Sequence, residues 1–134
     1  MMHTSRRRGH QRDEAGVAAL EFALVVPVLL MVVFGIVAFG VGYNYQLQVT
    51  QAAREGARTL AVTGSTGSAT AAAQAAAAGL DAGSMSIVLS GCPSTPGPTD
   101  TASASISYPY TYNIPGLGDK SVTLTADAVM HCGG

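Results

Sequence analysis

The chain is 134 residues long, 48% of them hydrophobic, with a formal charge of −1 at pH 7. A near-neutral balance offers no broad basic face, so no nucleic-acid partner is expected. Trp is absent and aromatic residues make up only 6%, so any water-soluble core must be thin.

Residues 1–16 are basic and polar, without apolar periodicity, and read as a leader to be kept apart from the fold, which is expected to begin near Val17. Residues 22–43 then contain no Asp, Glu, Lys, Arg or His and are rich in Val, Leu, Phe, Ile and Gly. A helix needs about 20 such residues to cross a bilayer, and the stretch reads as a membrane span. Arg6, Arg7, Arg8 and Arg12 precede it and only Arg54 and Arg58 follow it closely. The positive-inside rule therefore puts the N-terminus in the cytoplasm and the rest outside the membrane.

The helical pattern continues past the span. Val49, Ala52, Ala53, Gly56 and Leu60 fall on one side, and Gln51, Arg54, Glu55 and Arg58 on the other, with no proline before Gly64. One helix over residues 17–62 would be roughly 70 Å long. Its span half (17–43) would lie in lipid and its exported half (44–63) beyond it.

Residues 64–134 form the expected head domain. "GSTGSATAAAQAAAAGLDAG" opens with turn and N-cap residues and runs into alanines, which reads as a short second helix; a low-complexity linker is the other reading. The period then changes from 3.6 to 2. Met85, Ile87 and Leu89 alternate with serines; so do Ala104, Ile106, Tyr108, Tyr110 and Tyr112 with Ser103, Ser105, Ser107 and Thr111. Val122, Leu124, Ala126, Ala128 and Met130 make a third alternating run. "CPSTPGPTD" and "NIPGLGDK" supply the loops, so the fold class is α+β, with a three-stranded antiparallel meander packed on the exported half of the helix. Pro109 lacks a donor, so the second strand has a free edge there or ends early.

Cys92 follows the first strand and Cys132 the third, and in a meander both ends point the same way. A disulfide is expected if their Cα atoms come within about 7 Å. Closing a loop of about 40 residues would stabilise by roughly 4 kcal/mol in the chain-entropy model. A metal site with His131 has too few ligands for closed tetrahedral coordination, and no metal or other cofactor is expected.

Glu21 stands at the mouth of the span, where an unpaired carboxylate costs a few kcal/mol and calls for a partner. A cut between Gly16 and Val17 would create an α-ammonium four residues before Glu21, one helical turn away on the same face. The alternative is a carboxylate that snorkels to water and pairs with nothing. Pro27 either loosens the helix or is simply tolerated there. Gly35, Ala38, Gly40 and Gly42 are small positions where another helix could approach, though glycine is common in membrane helices generally. Arg54, Glu55 and Arg58 read first as a solvated face; Gly56 beside them raises a charged contact with a partner subunit. The row Tyr108, Tyr110, Tyr112 reads as core and edge packing, with an adhesive patch as the second reading.

A basic leader, Gly16, "VAAL", Glu21, Phe22 and an unbroken apolar helix together resemble the type IV prepilin signal, in the form found in tight-adherence (Tad, or Flp) pilins. With "FALVVPVLLMVVFGIVAFG", "TQAAREGAR" and "SYPYTY", the chain resembles the TadE-like family of pilus-assembly pseudopilins over most of residues 16–130. The resemblance implies cleavage after Gly16 by a membrane prepilin peptidase, and entry of the mature helix into a Tad pilus base or fibre. There Glu21 and Phe22 would neutralise the new terminus and set subunit register. It also implies other Tad pilins and pseudopilins, the inner-membrane assembly platform and lipid as partners, with adhesion and biofilm formation downstream. A head larger than that of a major pilin points to a minor pilin or pseudopilin.

No histidine has an acid–base partner in the pattern, and no phosphate loop, metal-ligand cluster or nucleophile motif stands out, so no enzymatic activity is expected. Two rivals remain: a signal-anchored extracytoplasmic binding domain that is never processed or polymerised, and a protein released by signal peptidase, for which the apolar run is long.

Overall fold

The computed structural model describes residues 8–114 and 118–133. Its elements in chain order are α1 (Arg8–Thr63), α2 (Thr66–Ala76), a 3-10 turn (Ala82–Ser84), β1 (Ser86–Ser90), β2 (Thr101–Ile114) and β3 (Gly118–His131). A long apolar helix, a short second helix and a three-stranded antiparallel sheet make the chain α+β, as its pattern predicts. The chain divides into two units, Met1–Gly40 and Val41–Gly134.

In the first unit α1 begins at Arg8, whereas the change in composition points to a start near Val17. Composition marks where the lipid-like run starts, but a polar stretch can be helical too, and Gly9 and Gly16 cost the helix only about 1 kcal/mol each. Residues 1–7 of the expected leader lie outside the described residues. Beyond Gly16 the large apolar side chains stay exposed, among them Phe22, Leu24, Met31, Phe34 and Ile36. Pro27 sits inside the helix without ending it. α1 is long and apolar enough to cross a membrane by length and composition.

In the second unit the helix becomes one-sided. Val49, Ala52, Ala53, Ala57 and Leu60 are fully buried, while Gln51, Arg54, Glu55 and Arg58 are exposed. α1 ends at Thr63 because Gly64 adopts φ 64°, a left-handed turn that glycine takes without a Cβ clash, and its N–H closes on the Leu60 carbonyl at 2.9 Å. Ser65 then caps α2, its Oγ accepting from the Ser68 N–H at 3.3 Å.

The sheet order is β1-β2-β3. Ser86 pairs with Ser107 and Ser90 with Ser103 across β1 and β2; Thr101 pairs with His131 and Ile114 with Gly118 across β2 and β3. β1 therefore stops opposite Ser107, and β2 and β3 run on as a two-stranded ribbon. Pro109 lies in that ribbon, paired with Thr123 on one side and with its other edge free, so the strand does not end early. Most of the "NIPGLGDK" turn falls on residues 115–117, outside the described residues.

The core is built from small residues, as the scarcity of aromatics requires. Val49, Ala52, Ala53, Ala73, Ala77, Leu80, Met85 and Ile106 form one cluster, with Tyr45, Tyr108 and Leu124 packed against it. Leu60, Ala69 and Ala102 form another, beneath Leu89 and the two cysteines. Alanine on three facing elements lets the backbones approach closely. At Gly56 the approach is closest: an added Cβ would lie 3.3 Å from Ala73 Cβ and 3.6 Å from Ala104 Cβ.

Candidate functional site

The candidate site lies on α1 at the N-terminal edge of the uncharged run. Val17 and Glu21 are one helical turn apart, and both are exposed, as is Phe22. Around Gly16 no described atom beyond the helix's own backbone lies within 4 Å of where a Cβ would stand, and the same holds for Gly35 and Gly40. Packing among the described residues thus gives no reason for glycine at these three positions. Pro27 has no N–H for the Ala23 carbonyl, which leaves one polar group of the span without its usual helical partner.

The small pair Ala38 and Gly42 divides between two uses. A Cβ on Gly42 would stand 3.6 Å from the Tyr110 ring, so Gly42 admits a tyrosine of the same chain. Ala38 is exposed.

Arg54, Glu55 and Arg58 are exposed on α1. Gly56 is buried against α2 and β2, so the close approach it permits is internal, and the argument from Gly56 for a partner-subunit contact falls away. A buried glycine and exposed charges alternate here because the sequence step between them, one or two residues, turns the helix by 100° or more.

Cys92 and Cys132 form a disulfide within the chain, with Cα atoms 5.8 Å apart, inside the geometric limit set by the meander. The Cys132 N–H also donates to the Asp100 carbonyl at 2.9 Å, fixing the end of β3 to the loop before β2.

Tyr108 is half-buried against the core, whereas Tyr110 and Tyr112 continue along the ribbon. Tyr110 meets Tyr45 of α1 edge-on, with ring centroids 5.0 Å apart, and stacks with Tyr112 at 5.9 Å. The row is core at one end and edge at the other, as its alternation suggests.

Sequence reasoning missed two glutamines that join α1 to the head. Gln46 donates from Nε2 to the Thr125 carbonyl at 2.9 Å, and Gln48 Oε1 accepts the Gly79 N–H at 3.0 Å. Gln48 is itself held by Asn44, whose Oδ1 accepts from Nε2 at 2.8 Å. The signal that could have found this is Gly79, where an added Cβ would fall 2.6 Å from Gln48 Oε1. Nearby, Asp81 Oδ2 accepts from Ser84 Oγ at 2.6 Å, and that bond, with backbone N–H donors at Gly83 and Ser84, holds the carboxyl below its usual range. No group of three or more His, Cys, Asp or Glu that could hold a metal occurs among the described residues.

Residues 16–58 match the model of one protein family, described as TadE-like protein, so the chain carries a TadE-like segment. No curated protein and no solved structure gives a significant match to the chain.

Proposed function

We propose that this chain, TadE-like over residues 16–58, is a minor pilin or pseudopilin: a structural, non-enzymatic component of a Tad-type pilus assembly apparatus. The observation that carries the reading is where the match begins. It starts at Gly16, the residue before the inferred cut, and runs through Glu21, Phe22 and the whole uncharged run into "REGAR".

In this reading a prepilin peptidase cleaves after Gly16 on the cytoplasmic side. The bond lies within α1, and a protease needs an extended segment, so the helix must open there. Glycine lowers that cost by about 1 kcal/mol relative to alanine. Cleavage leaves an ammonium on Val17, and Glu21, one turn along, neutralises it or the terminus of the next subunit. The leader basic residues hold the N-terminus in the cytoplasm, so the chain is a single-pass inner-membrane protein with its disulfide-closed head in the oxidising exterior. From there the mature helix joins sister pilins at the assembly platform, supporting pilus biogenesis, adhesion and biofilm formation. Gly35 and Gly40 then serve helices of other subunits, consistent with the lack of an internal use for them.

Glu21→Ala tests the role directly. It should leave a processed, membrane-held chain that is depleted from sheared pili, with Glu21→Asp retaining more incorporation. Equal incorporation of Glu21→Ala and the unaltered chain would contradict the assigned role, and an unprocessed chain in the presence of the peptidase would favour the signal-anchored binding domain.

A further inference from the structure

We infer that Ser94 and Thr95, in the loop between β1 and β2, are acceptors for an O-linked sugar. The inference rests on the reading above that the head is exported, and goes beyond it, since anchoring and assembly call for no modified side chain.

The loop is "GCPSTPGPTD", residues 91–100, in which Pro93, Pro96 and Pro98 enclose Ser94, Thr95 and Gly97. Proline fixes its own φ and biases the residue before it to extended backbone, here Thr95 before Pro96. Both ends of the loop are pinned. Cys92 is bonded to Cys132, and the Asp100 carbonyl accepts the Cys132 N–H at 2.9 Å. The second half also closes on itself, with the Asp100 N–H on the Gly97 carbonyl at 3.2 Å and the Gly97 N–H on Asp100 Oδ2 at 2.6 Å. Residues 93–96 stand between these fixed points. Ser94 and Thr95 are exposed there, and no hydrogen bond to another described residue holds either one.

Other hydroxyls of the head have a use within the chain. Thr50 and Thr70 donate to the carbonyls of Gln46 and Thr66, Ser65 caps α2, and Ser84 bonds Asp81. Ser105 is exposed on the sheet, but its backbone is paired between Val88 and Asp127. A transferase takes its acceptor as an extended segment with both edges free, which the loop offers and a paired strand does not.

Composition selects the sugar. The chain contains no Asn-X-Ser/Thr triplet, so attachment through Asn is ruled out, whereas Ser and Thr set among prolines are the make-up of O-glycosylated segments. A phosphate on the same hydroxyls would add about two negative charges to a loop whose one charged residue is Asp100 and which holds no Lys, Arg or His to receive them. A neutral sugar meets no such penalty. The donor class is a glycosyl diphosphate carried on a membrane lipid. The hydroxyl oxygen attacks the anomeric carbon, and a C–O bond forms there as the bond from that carbon to the diphosphate oxygen breaks. The lipid diphosphate leaves with the electron pair, and the hydroxyl proton passes to a base of the transferase.

Intact mass and electron-transfer fragmentation of the full chain from its native membrane test the assignment, beside a Ser94→Ala/Thr95→Ala double variant and Ser105→Ala, with thiol alkylation applied before any reduction. The expected chain is heavier than its sequence requires, from whichever residue it begins, by whole monosaccharide residues carried on Ser94 or Thr95. That mass is lost entirely in the double variant and kept in Ser105→Ala. A chain at its sequence mass, or one with the added mass on other residues, would overturn the modification and leave the assembly reading standing. Added mass that a phosphatase removes would overturn the sugar. Alkylation of Cys92 and Cys132 without reduction would overturn the exported head and the modification together.

Discussion

The two halves of α1 share one helix and treat their side chains in opposite ways. From Phe22 to Val41 the helix is apolar all round, most of its residues are large, and nearly all are exposed. From Asn44 to Thr63 it is one-sided, and the buried stripe is mostly alanine and glycine, lying against α2 and β2. A large exposed apolar surface needs a partner from outside the chain; in the proposed reading lipid supplies it before assembly and sister helices supply it in a fibre. A small-residue stripe already has its partner inside the chain, so the second half serves as the spine of the head.

If that division is right, damage to the head's closure should be felt most, and only in the second unit. Replacing both cysteines by alanine removes the constraint across a sequence separation of 40 residues and should cost the head roughly 4 kcal/mol, read as a lower denaturant midpoint. Ile106 is fully buried, and Ile106→Ala should cost about 2–4 kcal/mol. Phe34→Ala in the span should leave the head's midpoint unchanged, and a comparable loss there would break the comparison. Gly56→Val pushes a branched side chain into Ala73 and Ala104 and should cost about 1–3 kcal/mol. The helix-propensity gain over glycine, under about 1 kcal/mol, only partly offsets it.

The smallest effect is electrostatic. Hydrogen bonding lowers the Asp81 pKa from an ordinary value of 3.8, so the folded state holds the carboxylate more firmly than the unfolded chain. Its contribution is present above that value and is lost as pH falls through the lower folded one. Acid titration of the head's stability should show a drop below about pH 4 that is shallower in Asp81→Asn.

Much of this division can be read in the sequence. The uncharged run, the switch to one-sided spacing at Val49 and the change of period after Gly83 mark the span, the spine and the sheet because each is a local pattern. Strand order puts Cys92 and Cys132 at the same end of the meander, and the 5.8 Å between their Cα atoms meets the condition for the pairing. Other features depend on contacts distant in sequence. Gly56 borders a charged face in the sequence, yet turns inward because α2 and β2 come to it. Gly42 reads as a helix-packing position, and its contact with Tyr110 of the ribbon is not visible in the local pattern. Gln48 and Gly79 are unremarkable apart and become a joint only when the loop after α2 returns to α1. The start of α1 at Arg8 was hidden for another reason: a change in composition marks a solvent boundary, whereas a helix ends only where backbone chemistry stops it.

The claim on which the assembly reading depends is that the first half of α1 is completed by a new charge at Val17. Intact mass and N-terminal peptide mapping of the chain from its native membrane, with and without the cognate prepilin peptidase, test it most directly. The account predicts a chain beginning at Val17 only when the peptidase is present. A chain that keeps residues 1–16 in both samples, or one that begins beyond Tyr43, would contradict it.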